Sequence, residues 1–506
     1  MHFPTSKTAL TVALTLGLLS GCGEKFLDVT PRDTVTTENF YRNESDAIQA
    51  TNAAYAQLNR GGQYNYALWG IGEIMSDNSY TGGGGGDGAE EIQLDFFNIP
   101  TNNVMVGRLW GGCYVGIGAA NLVLQRVPGI ANMTEAVRRR CLGEAKFLRA
   151  KYYFDLVRAF GDVPLITAPV ASPAEARAVA RTPVAQVYDR IIQDLTEAIG
   201  ALDDGYTGAN LGRATKWAAT GLLAKVYLTQ GNKPLAAQRA REVIASAKFS
   251  LWADYADNFK VANENGKESL FEVQYVNGLN EYIFDGLGFV GNEFFAPRGS
   301  GIVPQGGYGF NVPEREFVDG YETGDRRRDV TIWKPGDAYP AGSATAAQPA
   351  SQIPSSPYGY NCKKWFVGKV NTNVWDSPLN FPVLRLAEIY LILAEADGPT
   401  PGTTPAAMGG LEAVNKVRRR AFGLPVDAPS PRDFTAATPN FADAVVRERR
   451  YELAFEDDRW FDLKRTGKLL STPALQAKGI KPYNVVLPIP QGERDANPSL
   501  TQNPGY

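Results

Sequence analysis

The sequence predicts a mainly α fold: a tetratricopeptide-like helical-repeat superhelix with long loops and minor β pieces. Apolar and small residues recur at helical spacing in many segments, and several of these segments follow one another as pairs. A single helical pair cannot bury its apolar face alone, so stacked pairs that share one core are the economical arrangement. Few segments show strand character, which argues against a large sheet.

The clearest helical pair is GRATKWAATGLLAKVYLTQGNKPLAAQRAREVIASA, residues 212–247. Small residues such as Ala218 and Gly221 permit close contact between helices. Gly231 ends the first helix, and Pro234 opens the second. This layout is typical of a tetratricopeptide-like hairpin.

The same criteria assign the remaining elements in chain order. Helices are predicted at residues 40–58, 104–127, 134–160, 183–202, 213–231, 234–248, 382–397, 409–421 and 441–466. Short strands are predicted at 270–276 and 485–489. Three segments are long and irregular, as functional loops often are: 70–100, 276–312 and 335–360.

The N-terminus has the pattern of an export signal. Lys7 precedes an apolar run, residues 9–19, which is far shorter than the ~20 residues that cross a bilayer. Leu-Ser-Gly then leads into Cys22, as in a bacterial lipobox. We therefore expect residues 1–21 to be a lipoprotein signal peptide, and Cys22 to be the acylated first residue of an anchored mature chain.

Charge, histidine and cysteine content limit the chemistry. Cleavage leaves 51 − 1 = 50 basic and 54 acidic side chains, a net charge of 50 − 54 = −4, so nothing indicates a nucleic-acid-binding face. The one histidine, His2, lies in the signal, which excludes Ser-His-Asp, Cys-His and histidine-ligated metal chemistry. Cys113, Cys141 and Cys362 lack Cys-x-x-Cys spacing and can form at most one disulfide.

The segment RERRYELAFEDDRWFDLKR, residues 447–465, is dense in charged and aromatic side chains. On one continuous helix Arg450, Leu453 and Asp457 would share a packed face. Buried charges cost several kcal/mol unless they are paired. We therefore interpret the segment as a salt-bridge network that stabilises the scaffold, and not as a catalytic cluster.

Several motifs together resemble the SusD/RagB family of nutrient-binding outer-membrane lipoproteins of Bacteroidetes, in order from the lipobox to the C-terminus. Besides residues 447–465, they are GEAKFLRAKYYFDLVRAFGDVPLI (143–166), GRATKWAATGLLAKVYL (212–228), ESLFEVQY (268–275), FPVLRLAEIYLILAEA (381–396), NKVRRRA (415–421) and the terminal LPIPQGERDANPSLTQNPGY.

The resemblance implies a surface-exposed, lipid-anchored protein of the cell outer membrane that captures glycan or other oligomeric nutrients. It would pass them to a SusC-like TonB-dependent transporter, without catalysis and without a cofactor. The irregular loops would hold the ligand. Among them, 70–100 and 276–312 are rich in aromatic residues and glycine, whereas 335–360 is low in large apolar residues and is expected to be a mobile loop. Residues 22–250 would form an N-terminal SusD-like part with helical hairpins, and 251–506 a RagB/SusD part packed on the same scaffold as one compact unit.

The loop after the early helices contributes to ligand binding in the family, so Asp77, Asn78 and Tyr80 are binding candidates. The following GGGGGDG, residues 82–88, has neither the Gly-Lys-Ser/Thr nor the dinucleotide pattern of a phosphate cradle. Acidic side chains here could also supply oxygen ligands to calcium, although their spacing fits no EF-hand. These are Asp77, Asp87, Glu90 and Glu91.

The second irregular segment is rich in aromatic residues. Sugar rings stack on flat aromatic side chains, while their hydroxyl groups bind amide, carboxylate or guanidinium groups. The candidates in this segment are Asn280, Tyr282, Phe284, Asn292 and Arg298.

The residues leave two other functions open. A lipid-anchored glycoside hydrolase needs only two carboxylates and no histidine, and acidic side chains are abundant. A peptide-capturing, RagB-like protein would have the same architecture, because the aromatic loop suits peptide almost as well as oligosaccharide.

Overall fold

The computed structural model describes residues 40–84, 86–279, 281–350, 356–370 and 375–506, and in these ranges the predicted mainly α fold is confirmed. The α-helices are α1 Glu44–Tyr55, α2 Ala67–Trp69, α3 Ala89–Asp95, α4 Val104–Arg126, α5 Glu135–Phe160, α6 Pro173–Ala178, α7 Val184–Ala201, α8 Lys216–Thr229, α9 Lys233–Ala245, α10 Gly291–Phe295, α11 Arg315–Asp319, α12 Arg327–Thr331, α13 Leu386–Asp397, α14 Gly410–Ala421, α15 Phe441–Glu452, α16 Arg459–Arg465, α17 Pro473–Ala477 and α18 Gln491–Ala496.

The strands are short and form antiparallel pairs. They are β1 Ser79–Gly82, β2 Ser269–Val273, β3 Phe310–Pro313, β4 Ile332–Trp333, β5 Asn361–Cys362 and β6 Phe381–Arg385. β1 pairs with β3, β2 with β6 and β4 with β5. In the first pair Tyr80 lies opposite Val312, which joins the segment after the early helices to the aromatic segment.

Local capping explains where the predicted hairpin begins and turns. The Thr215 side chain accepts a hydrogen bond from the backbone of Ala218 at the start of α8, and Asn232 caps α9 in the same way. Gly221 does permit a close contact, but its partner is the β2–β6 ribbon and not the second helix of the pair. A Cβ atom at this position would lie 2.7 Å from a methyl group of Leu384.

The helices stack in sequence around a continuous core. α5 packs against α4 and α7, α8 pairs with α9, and α13 packs on both α9 and α14. One cluster of buried apolar residues extends from Ala54 to Leu500, so elements from both ends of the described chain share it. The division into parts at residue 250 remains a prediction.

Three predicted elements are wrong in type or extent. Residues 382–385 belong to β6, and the helix begins only at Leu386. Residues 486–490 have no regular secondary structure, and the 3₁₀ turn Pro482–Val485 precedes them where a strand was expected. The helix predicted at 441–466 is two helices, α15 and α16.

The break between α15 and α16 is fixed by tertiary contacts. Phe455 and Asp457 both have a φ angle of 62°, a left-handed conformation that non-glycine residues seldom adopt. The carbonyl of Phe455 accepts a hydrogen bond from Trp365 Nε1 at 3.1 Å. Gly72, in the π-helical turn Gly70–Ile74, packs so closely that a Cβ atom there would lie 2.1 Å from the carbonyl oxygen of Asp457.

The interpretation of residues 447–465 as a salt-bridge scaffold is confirmed. Glu452 is fully buried and lies 2.5 Å from Arg385 Nη1, 2.5 Å from Arg420 Nη2 and 3.2 Å from Arg327 Nη1. Burial by itself raises the pKa of Glu452, but these three guanidinium groups lower it to about 2. The carboxylate therefore ties α15 to β6, α14 and α12.

The predicted common face of Arg450 and Asp457 is wrong, because α15 ends at Glu452. Arg450 Nη2 lies 3.2 Å from Asp77 Oδ2, and its Nε donates to Asn78 Oδ1 at 2.8 Å. Within the described residues Asp457 has no ion pair, and its Oδ2 has no hydrogen-bond donor. Arg450 therefore belongs to the ion-pair network around Asp77, and Asp457 does not.

The cysteines of the described chain, Cys113, Cys141 and Cys362, are buried free thiols. Cys22 lies outside the described residues. None of the helices in the described ranges has the length and apolar character needed to span a membrane.

Candidate ligand-binding site

Three irregular segments meet beside the β1–β3 ribbon, and their described residues are 82–84 with 86–88, 276–279 with 281–309, and 366–370 with 375–377. Backbone hydrogen bonds join two of them, from Phe289 to the Ser377 carbonyl at 2.8 Å and from Trp375 to the Glu281 carbonyl at 3.0 Å. Backbone hydrogen bonds of this kind hold irregular loops in fixed positions relative to each other. Their aromatic side chains are therefore held on one surface.

Four rings form this surface, which we call the aromatic platform: Tyr282, Phe284, Tyr308 and Trp375. The ring of Tyr282 stacks on Trp375, with centroids 4.1 Å apart and an interplanar angle of 29°. Phe284 and Tyr308 lie 5.2 Å and 5.9 Å from the same indole. The hydroxyl groups of Tyr282 and Tyr308 are 2.6 Å apart. Tyr282 is 50% exposed, so the platform opens to solvent.

Buried groups support the platform from below. Phe284 stacks on Tyr66 at 4.1 Å, and Tyr308 stacks on Phe294 at 5.0 Å. Asn65, which is buried, donates to the backbone carbonyl of Phe284 at 3.1 Å. Rings fixed in this way lose little conformational freedom when a ligand stacks on them.

Ion pairs lie at two edges of the platform. Arg298 Nη1 lies 2.6 Å from Asp87 Oδ2 and 3.3 Å from the carbonyl oxygen of Tyr308. Arg108 Nη1 lies 3.2 Å from Asp285 Oδ2, next to Phe284 in the chain. Gly84 lies directly against Arg298, because a Cβ atom there would be 2.5 Å from the guanidinium carbon.

Burial shifts the pKa values of titratable groups in the platform and beneath it. Burial raises the pKa of the Tyr308 hydroxyl to about 12, so Tyr308 is a neutral donor and acceptor. Burial also raises the pKa of Glu293 to about 7, although the backbone amides of Gln305 and Gly307 donate to its Oε1. Glu293 thus holds the backbone just before Tyr308.

The first group of candidates, Asp77, Asn78 and Tyr80, lies largely inside the protein. Asp77 is 6% exposed, and its carboxylate is bound by Arg459 at 2.7 Å and 2.9 Å. Burial favours a raised pKa of Asp77, but Arg459 and Arg450 hold it well below the usual aspartate range. Asn78 is fully buried, and Tyr80 is partly buried in β1. A direct role in binding stays a prediction, and the geometry favours a positioning role.

The candidates from the second irregular segment lie in different places. Tyr282, Phe284 and Arg298 lie at the platform. Asn292 is buried and bridges to the backbone of Gly368 and Val367, at 3.0 Å and 2.9 Å. Its side chain therefore orders the third segment from behind the surface. Asn280 lies outside the described residues.

Sequence reasoning missed two members of the platform, Tyr308 and Trp375. Tyr308 lies in the aromatic segment, but glycines surround it in QGGYGF and separate it from the candidates. Trp375 lies in the polar stretch NTNVWDSP, beyond the segments singled out as irregular. A large aromatic residue in a polar, irregular stretch was the available signal.

The residues proposed as an alternative calcium set do not converge. Asp77 is bound by two arginines and Asp87 by Arg298, and these acids lie at different places. Across the described ranges, no three side chains among histidine, cysteine, aspartate and glutamate are grouped as metal ligands. What the surface offers chemically is ring stacking and hydrogen bonding.

Comparisons with known proteins agree with this architecture. The family described as "SusD family" matches residues 230–506, and the one described as "Starch-binding associating with outer membrane" matches residues 25–228. The SusD-like protein P25 of Formosa agariphila is 27% identical over 96% of each chain. A SusD-like protein of Bacteroides ovatus is 28% identical, over 90% of this chain and 81% of that one.

Solved structures show the same fold. A protein described as a laminarin-binding SusD-like protein has 32% sequence identity and a TM-score of 0.78, over 92% of this chain and all of that one. The surface glycan-binding protein A from Bacteroides fluxus has 26% identity and a TM-score of 0.77 over the same shares. Since one family model alone covers more than half of the residues, and a relative of 32% identity spans nearly all of them, the chain belongs to the SusD family.

Proposed function

We propose that this protein is a non-catalytic glycan-binding lipoprotein of the outer-membrane surface. The observation that carries the proposal is the aromatic platform: four adjoining rings, one of them half exposed, with hydrogen-bonding groups at their edges. Each ring that stacks on a sugar contributes ~0.5–1.5 kcal/mol beyond the buried area. Several such contacts give the weak to moderate affinity that suits capture followed by release.

The relatives support a carbohydrate ligand. The 32% identical relative is described as laminarin-binding, and the 26% identical one as a surface glycan-binding protein. The name of the family that matches the N-terminal half refers to starch binding and to association with the outer membrane. These descriptions favour glycan over peptide as the ligand of the platform.

The proposal includes the route of the ligand. Acylation at Cys22 anchors the protein, and a SusC-like TonB-dependent transporter receives the captured oligomer. The helical-repeat side would face this partner, while the platform holds the ligand. This partnership rests on the family resemblance.

A binding experiment tests the platform. Tyr282→Ala and Trp375→Ala should each weaken binding of a matched oligosaccharide several-fold, measured by calorimetry with the purified mature protein. Phe96→Ala is the matched control, because Phe96 is 57% exposed and lies outside the platform. Equal losses in all three variants, or none in the first two, would show that the rings of the platform do not bind the glycan.

A second assay separates capture from hydrolysis. The protein is incubated with the polysaccharide that it binds, and new reducing ends are sought by chromatography. We expect none. Cleavage that disappears in a single carboxylate variant would establish the two-carboxylate hydrolase instead. Retention of peptides together with failure to bind any glycan would establish the peptide-capturing alternative.

The anchor is tested in cells. Cys22→Ala removes the thiol that is acylated, so the variant should leave the membrane fraction, which immunoblotting of washed membranes measures. Recovery of the variant in membranes at the wild-type level would contradict lipid anchoring at this residue.

A further inference from the structure

We propose that the platform selects uncharged glycans and discriminates against polymers that carry carboxylate or sulfate groups. This inference rests on the proposed glycan-binding function and specifies its ligand class. It stands on one arrangement: Arg298 and Arg108, at the edges of the platform, are each already paired with an acidic side chain, while a third arginine, Arg60, donates to the backbone carbonyl of Asp285.

Arg298 is the first of these cations. Its side chain is 39% exposed, so it could reach an anionic ligand, but Asp87 holds it at 2.6 Å. Gly84 packs against the guanidinium group, which fixes its position over the glycine-rich loop. An anionic sugar would have to compete with a carboxylate that is already in place.

Arg108 is the second cation, and it is paired in the same way. Its Nη1 lies 3.2 Å from Asp285 Oδ2, and the Asp285 carboxylate also accepts from the backbone of Gly61 at 3.0 Å. The guanidinium group of Arg108 lies 5.9 Å from the centroid of the Tyr66 ring, and Phe284 stacks on that ring. Although its side chain is 37% exposed, Arg108 is thus already engaged by Asp285 and by a ring that supports the platform.

The remaining charges make the surroundings acidic. The three segments that meet here, with the first turn of α3, carry more acidic than basic residues in their sequence. Beyond the two ion pairs, the acidic residues are Glu90, Glu281 and Asp376 and the basic residue is Lys369, while burial raises the pKa of Glu91 and of Glu293 and so disfavours their charged forms. Like charges repel an anionic polymer, whereas neutral hydroxyl groups still find acceptors among the carboxylates.

The test compares neutral soluble glucans with their carboxymethylated derivatives by calorimetry at low salt. We expect the charged derivative of the glucan that binds to be at least ten-fold weaker. The difference should shrink in 1 M salt, where the Debye length falls to about 3 Å. Binding of the charged derivative as tight as that of the neutral glucan would overturn the inference.

Asp87→Asn makes the test specific to the ion pair. The substitution frees Arg298, so the ratio of neutral to charged affinity should fall about 2- to 5-fold, the range that one exposed ion pair supplies. Asp427→Asn is the control: it makes the same charge change at an exposed aspartate paired with Lys416, on the connection between α14 and α15, and should leave the ratio unchanged.

The outcomes distinguish this inference from the function on which it rests. A wild-type protein that binds no glycan, neutral or charged, shows that glycan capture is wrong, and the inference falls with it. Preference for the charged derivative leaves glycan capture intact and overturns only the selection for uncharged ligands. An unchanged affinity ratio in Asp87→Asn overturns the assignment of the selection to the neutralised Arg298.

Discussion

Asp77 and Asp457 are both buried aspartates, yet their surroundings differ in charge. Asp77 lies between Arg459 and Arg450, which compensate the cost of removing its carboxylate from water. Asp457 lies near the carboxyl groups of Glu73 and other acids. Burial, followed by the charge of Glu73, raises the pKa of Asp457 well above the usual range. The pKa values of the two buried carboxyl groups are thus shifted in opposite directions, that of Asp77 down and that of Asp457 up.

Substitution should separate these two residues. Asp77→Asn leaves two buried guanidinium groups without their carboxylate and should lower the free energy of unfolding by about 3 kcal/mol or more. Asp457→Asn replaces a carboxyl group whose charged form is disfavoured by burial with an amide of similar shape, and should change the free energy of unfolding by less than about 1 kcal/mol. Urea denaturation at pH 7 measures both. Losses of equal size would show that Asp457 is ionised and paired.

At the scale of the element, glycines in α4 show which face of that helix is packed. A Cβ atom on Gly116 would lie 2.3 Å from the ring of Tyr152, whereas one on Gly118 would meet nothing within 4 Å. Tyr152 is fully buried, and its hydroxyl donates to the carbonyl of Ala54 at 2.7 Å, so its ring cannot retreat. The close approach of α4 to α5 therefore depends on Gly116.

The same substitution at these two positions should have opposite effects. Gly116→Ala should destabilise the protein by about 1–3 kcal/mol through overpacking. Gly118→Ala should stabilise it by up to about 1 kcal/mol, because alanine has the higher helix propensity and meets no obstacle. Denaturant unfolding of both variants measures the difference. A stabilised Gly116→Ala protein would contradict the packing of α4 on α5.

At the scale of the whole molecule, buried carboxyl groups set the pH range of stability. Burial raises the pKa of Glu73 to about 8 and that of Glu293 to about 7. Acids with a raised folded-state pKa contribute stability that is complete below their unfolded pKa of about 4.3, falls as the pH rises above that value, and is fully lost above the folded pKa. Glu452, whose pKa is lowered to about 2, instead contributes stability that is complete above about pH 4 and is lost as the pH falls to about 2.

The melting temperature should therefore be highest at about pH 4 to 5 and should decline between there and about pH 8. Glu73→Gln cannot ionise, so its melting temperature should decline less steeply over that range, which calorimetry at several pH values measures. A variant curve that runs parallel to the wild-type curve would show that Glu73 does not titrate there.

The sequence by itself determined most of the long helices and the family. Helix formation depends on local spacing, capping and apolar periodicity, so α4, α5, α7, α8 and α9 begin and end within a few residues of their predicted bounds. The pairing of the charges in residues 447–465 also followed from the sequence, because buried charges need partners. The sequence did not identify which partners those are.

The tertiary structure alone decided the details that depend on residues far apart in the chain. α15 ends at Glu452 because Gly72 and Trp365 hold the following backbone in a left-handed conformation. Arg450 binds Asn78, 372 positions earlier in the chain. Likewise the rings of Tyr282 and Trp375 meet only through the folding of two separate loops. Such contacts leave no local periodicity, since they are selected by the space and charge that the rest of the fold provides.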